Sequence, residues 1–173
     1  MILQTIQSIK AYEEMCRCGV LKSDGEHIFD ESFRPAYKWM AGQMAEKIGA
    51  APDNVKFPVW AWYQWEGEKY PDMNLFDEDV SEMKPFAIIT FDAPENKVLL
   101  SDFDYWHFVL SDVDIPDSGK ECFEYSADEK EKSWQKIFDI NYIADDKSSV
   151  QAVLWEIKSE WVRNIEIWHK NSE

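Results

Sequence analysis

Phe57-Pro58-Val59-Trp60-Ala61-Trp62-Tyr63-Gln64-Trp65 is the run that decides the fold. Aromatic and β-branched residues fill it, and these suit a pleated, half-buried surface better than a helix. Strict alternation puts Trp60, Trp62 and Gln64 on one face, and Val59, Ala61, Tyr63 and Trp65 on the other. Apolar or aromatic neighbours are therefore needed on both sides, which predicts an interior strand.

Upstream, Met1 to Gln7 alternates as a short strand with Ile2 and Ile6 on one face. Ser8 can cap a helix carrying Ile9, Tyr12, Met15 and Cys16, and Gly19 stands where a left-handed residue closes the last turn. A second helix is predicted from about Phe33 to Ile48, with Pro35 in its first turn, Gly49 behind it, and Tyr37, Met40, Ala41, Met44 and Ile48 as its apolar stripe.

Downstream, Glu66 to Lys84 is acidic and without period, and reads as a long loop. Pro85 to Phe91 and Val98 to Leu100 flank turn residues Pro94, Glu95 and Asn96, which predicts a β-hairpin. Ser101-Asp102 can cap a short helix bearing Phe103, Trp106, His107 and Leu110; Cys122 to Tyr125 suits an edge strand; Asp128 can cap a helix bearing Trp134, Ile137 and Phe138. Over 150–168, Val150, Leu154, Ile157, Trp161, Ile165 and Trp168 recur at helical spacing. Length favours a helix there, with two strands about a turn at Lys158 to Glu160 as the other arrangement. Together these elements make an α+β fold, a mixed and largely antiparallel sheet flanked by helices, in a single domain over residues 1–173.

Thirty-four acidic against eighteen basic residues give a formal charge of −16, which repels phosphate backbones and anionic lipid headgroups. Neither nucleic acid nor membrane is expected as a partner, an acidic mimic of nucleic acid being the exception. Cys16, Cys18 and Cys122 form no CxxC pair, which fits a reducing compartment. No basic start with a long apolar core and no apolar run of about 18 residues occurs, so a cytoplasmic protein is expected.

Glycine-rich phosphate loops, GxSxG, HExxH and paired CxxC motifs are all missing. The most chemical stretch is Ser101 to His107: on a helix Asp104 and His107 share a face, and an aspartate can orient an imidazole as a general base. More blandly, Asp102 caps the helix and His107 packs near the surface. No metal is expected, since further ligands are lacking. Trp60 and Trp62 can form a stacking wall for a planar ligand, or simply a tryptophan-rich core. Gln7, Gln151 and Glu156 are polar groups in apolar surroundings, where an unpaired amide or carboxylate is costly, so each should be partnered or open to a cleft.

Thr5-Ile6-Gln7, Pro35-Ala36-Tyr37-Lys38-Trp39-Met40, the 58–65 strand, Val98 to His107 and Gln151-Ala152-Val153-Leu154-Trp155-Glu156 together resemble a bacterial family of unknown function, numbered three-eight-four-one. Gln4 stands where that family's pattern leads one to expect a tryptophan. The layout is also loosely similar to NAD-binding ADP-ribosyl transfer folds. That analogy implies Glu156, Tyr37 and Trp62 as ribose-holding and nicotinamide-sandwiching groups, with Gln7 nearest to the usual first-strand histidine or arginine.

Two expectations of function follow. One is a small-molecule, nucleotide-like binding domain or NAD-using transferase-like enzyme, with Glu156, His107 and Asp104 catalytic and Gln7, Tyr37, Trp60, Trp62 and Gln151 around the ligand. The other is a non-enzymatic module whose acidic stretch Glu66 to Glu82 docks a basic protein.

Overall fold

Ser8 ends one element and starts the next. Strand β1 (Ile2–Ser8) runs into helix α1 (Ile9–Cys18), and the Ser8 hydroxyl accepts from the Ala11 amide at 3.1 Å. Gly19, at φ 76°, donates to the Met15 carbonyl at 2.8 Å and turns the chain into β2 (Val20–Lys22). A side chain there would meet left-handed strain. These are features of a computed structural model that describes residues 1–23, 25, 30–69, 85–117, 126–140 and 148–168.

Helix α2 (Arg34–Lys47) follows a 3-10 turn that Asp30 caps, has Pro35 in its first turn, and buries Ala36, Met40 and Met44 four residues apart. Strands β3 (Val59–Trp65), β4 (Glu68–Lys69), β5 (Phe86–Asp92) and β6 (Leu99–Asp102) come next, then helices α3 (Phe103–Leu110) and α4 (Ala127–Ser133), and finally β7 (Val150–Leu154), β8 (Glu156–Lys158) and β9 (Val162–Trp168). The seven-stranded sheet runs β6-β7-β3-β1-β5-β9 with β4 on β3, and β2 and β8 form a separate ribbon. Each pairing among the described residues is antiparallel, so the fold is α+β, and β3 is interior as its sequence requires.

Several expectations need correction. β5 and β6 do not form a hairpin: β5 lies between β1 and β9, while β6 pairs with β7 at the opposite edge. Four strand spacings separate them, about 19 Å. The residues between Asp92 and Leu99 carry the chain that far, with a 3-10 turn at Glu95–Lys97 rather than a tight reversal. Residues 150–168 are strands, not a helix. β7 is buried on both faces, and such a strand reads as a continuous apolar run that periodicity cannot separate from a buried helix. Ser126, not Asp128, caps α4, in a capping box with Glu129. β4 interrupts the expected 66–84 loop, and the rest of that stretch, like the expected edge strand at 122–125, lies outside the described residues.

Each face of the sheet has its own core. Leu3, Ile89, Phe91, Ala61, Ala152 and Leu154 pack against α1 through Met15 and against the β2-β8 ribbon through Leu21 and Ile157. Leu99, Val153 and Trp155 pack against α2, α3 and the 3-10 turn Trp134–Phe138 on the other side.

One seam divides the sheet. β1 pairs with β5 along its whole length, from Ile2 to Ser8, but a single register pair, Gln4 opposite Trp62, joins β1 to β3. Continuing that register would set Ser8 against Pro58, which has no N–H to give. The strands part already beyond the Gln4–Trp62 pair, and side chains replace the ladder: the Thr5 hydroxyl donates to the Trp60 carbonyl at 2.8 Å, and Gln7 Nε2 donates to Thr5 Oγ1 at 2.8 Å. Thr5 is buried. Thr5→Val keeps the shape and strips this link, leaving a buried carbonyl and an amide unpaired, so it should cost about 1–3 kcal/mol in urea unfolding, with Thr5→Ser closer to wild type. A Thr5→Val protein as stable as wild type would show that the seam does not depend on this hydroxyl.

Candidate functional site

Where β1 and β3 part, a cleft of about 740 Å³ opens, bordered by Gln7 and Ser8 at the end of β1, Lys10 on α1, Lys22 on β2, and Pro58 and Trp60 on β3. That volume lies in the usual range for small-molecule sites. The local chain explains the lining. α1 leads away from Ser8 for about 15 Å, Gly19 reverses it, and β2 returns about 10 Å, which brings Lys22 back toward the level of Lys10.

Gln7 gives its amide nitrogen to Thr5, and its carboxamide oxygen has no hydrogen bond among the described residues. Glu156 stands directly opposite Lys22 on the β2-β8 ribbon, its Oε2 3.6 Å from Lys22 Nζ. Glu14, also on the cleft wall, is tied to Arg17 at 3.3 Å. Lys10 has no ion pair among the described residues and is exposed. Gln7 and Glu156, expected from sequence around a common ligand, are thus brought to one cleft and its margin.

The aromatic residues are placed differently. Trp60 borders the cleft, yet its ring packs on Trp106 with centroids 4.9 Å apart and on Tyr37 at 5.8 Å, inside the core under α2 and α3. Burial raises the Tyr37 phenol above its ordinary pKa. Trp62 is not on the cleft wall. A register shift between Trp62 and Gln64 lets Trp65 fold back edge-on against Trp62 at 4.7 Å, with Phe103 at 5.0 Å, so the simple alternation expected for this strand fails after Trp62.

Asp104 and His107 do not form a dyad. His107 Nδ1 lies 2.9 Å from the Phe103 carbonyl and its ring meets Phe103 edge-on, while no bond among the described residues joins it to Asp104; both are exposed. Asp102 is the working cap of α3, accepting from the Tyr105 amide at 2.7 Å. Gln151 sits between Trp62 and Ser101 in register. Its Oε1, the Ser101 hydroxyl and Trp60 Nε1 are buried without a hydrogen-bond partner among the described residues, on adjacent rungs of one face. Lys10, Lys22 and Ser8 line the cleft without having been singled out as ligand groups, and Thr5 supports it from beneath Gln7. Only the return of β2 along α1 distinguishes the two lysines from ordinary solvated ones.

A family model described as Domain of unknown function (DUF3841) matches residues 2–132. The chain belongs to this family. No curated protein and no solved structure matches it. The DUF3841 match takes in every residue on the cleft wall and stops short of β7 and β8, so Gln151 and Glu156 lie beyond it. Among the described residues, no helix is long and apolar enough to cross a membrane.

Two stability measurements check these placements. Burial is the largest influence on Asp102 and raises its pKa above the ordinary value of 3.8, against the lowering effect of the Tyr105 amide. Its contribution to stability is therefore full below about pH 4 and lost as pH rises through the elevated pKa. Asp102→Asn keeps a capping oxygen without the charge. Its melting temperature relative to wild type should rise between pH 4 and pH 7, and a difference independent of pH would refute the assignment. Gln151→Met removes the unpaired acceptor at nearly constant volume and should be neutral or stabilising in urea unfolding; a loss above about 1 kcal/mol would mean that the amide has a partner.

Proposed function

We propose that this DUF3841 protein binds a small, nucleotide-like molecule in the cleft at the sheet seam. The observation that carries the reading is the Gln7 side chain: one end of its amide holds the seam through Thr5, and the other offers a free oxygen to the cleft. A sheet that gives up ladder bonds to open a space beside a chemically oriented amide has a use for that space. Stacking contributes little to this reading, because Trp60 is the cleft's tryptophan and its ring is already packed on Trp106. Recognition then rests on polar groups, namely Gln7, Lys10 and Lys22, with the Glu156 carboxylate beside Lys22 at the margin.

Should the domain also turn its ligand over as an NAD-using transferase does, Glu156 is the group to do it. It is the carboxylate beside the cleft that a lysine holds in place. His107 and Asp104 sit on α3, away from the cleft wall, and have no part in this reading.

Thermal-shift screening against NAD, mononucleotides and sugar phosphates should yield a stabilising ligand, worth about 2.7 kcal/mol at a hundredfold excess over its dissociation constant. Gln7→Met should lose that shift. A flat response across the whole panel would sink the proposal. Glu156→Gln, breaking a partly exposed pair, should change stability by less than about 1 kcal/mol, and should remove any NAD-consuming turnover while the fold persists.

A further inference from the structure

Charge within the cleft runs against the charge of the chain. The whole protein carries −16, yet among the described residues the charged side chains on this wall are Lys10, Lys22 and Glu14, with Glu156 beside Lys22. Glu14 pairs with Arg17 at 3.3 Å, and Glu156 shares Lys22 at 3.6 Å, while Lys10, on the wall of the same opening as Lys22, has no ion pair among the described residues. The 3.6 Å separation is long for a charge-assisted hydrogen bond, so Lys22 retains donor capacity toward a third group.

Resting on the cleft reading above, we infer that the ligand enters with a single phosphate-type anion between Lys10 and Lys22, while Gln7 accepts a hydrogen bond from an uncharged part of it. Two ammonium groups match a group carrying one to two negative charges. A triphosphate brings about four, and two lysines inside a field of −16 cannot neutralise them. An uncharged ligand leaves both lysines to water and gains nothing from them. The cleft thus selects for singly phosphorylated small molecules, with Glu156 setting the threshold by competing for Lys22.

Matched pairs that differ only in the phosphate test this: AMP against adenosine, and ribose 5-phosphate against ribose, titrated into the full chain with amide resonances followed by NMR. The phosphorylated member of a pair should perturb Gln7, Lys10 and Lys22 and bind at least about tenfold tighter, as a charge-assisted contact provides. Lys10→Gln and Lys22→Gln should each shrink that ratio toward one, added salt should weaken it, ATP without divalent metal should bind more weakly than AMP, and Glu156→Gln should tighten AMP. Equal affinity within both pairs, or a preference that survives both lysine substitutions, would overturn the anion inference while leaving the cleft as a binding site. If no member of either pair moves the Gln7, Lys10 or Lys22 resonances, the cleft reading falls and the anion inference with it.

Discussion

The buried Thr5 hydroxyl holds together two half-sheets that the backbone alone barely joins. On one side, β1 gives its full ladder to β5; on the other, it meets β3 at the Gln4–Trp62 pair and then diverges. Backbone groups that part inside a protein must find other partners, because leaving them bare costs as much as a lost hydrogen bond. Thr5 supplies a donor to the Trp60 carbonyl and an acceptor for Gln7, both at 2.8 Å, so one hydroxyl satisfies both sides of the gap. The gap can then stay open without an energetic debt that would close it. Pro58 adds to this at the far end of the gap, opposite Ser8, where proline has no N–H to offer.

Local chemistry was legible from the residues, and non-local pairing was not. Ser8, Gly19 and Asp102 act at the expected helix ends because a cap is a contract between residues three or four apart. The supposed hairpin between β5 and β6 fails for the converse reason. Turn residues say that the chain changes direction, but which strands then pair depends on who else competes for an edge, and β1 and β9 had claimed both edges of β5. The segment from Val150 to Trp168 shows the same limit. Its apolar spacing satisfies a helix, yet Trp155 and the 3-10 turn at Ser159–Trp161 divide it into strands serving two different sheets.

The candidate site divides along the same line. Gln7 and Glu156 stand out in sequence as polar groups among apolar ones, and each has a polar role, at Thr5 and at Lys22. The tryptophans mislead because an indole signals large burial without saying whether its partner is a ligand or another ring. Here Trp60 and Trp106, and Trp62 with Trp65 and Phe103, are partners to one another. Asp104 and His107 mislead because three-residue spacing puts two side chains on one face without making them touch. The imidazole turns to the Phe103 carbonyl one helical turn back. Lys10 and Lys22 are silent in sequence since their place on one cleft wall depends on β2 folding back along α1.

Gln7 belongs to the seam and to the cleft at once, and this links occupancy to the sheet itself. Its Nε2 donates to Thr5, whose hydroxyl donates in turn to the Trp60 carbonyl, so three groups form one directed chain of hydrogen bonds across the gap. Such chains are cooperative: a donor placed on the Gln7 oxygen polarises the amide and strengthens the bond that its nitrogen makes. A ligand on that oxygen, as proposed, would therefore tighten the junction between the half-sheets, and a well-formed junction would hold the oxygen in place for it. The same reciprocity explains how a cleft can sit at the weakest join of a sheet. Under the proposed reading, binding there would add to the fold, because the group that recognises the ligand would also be the group that holds the strands.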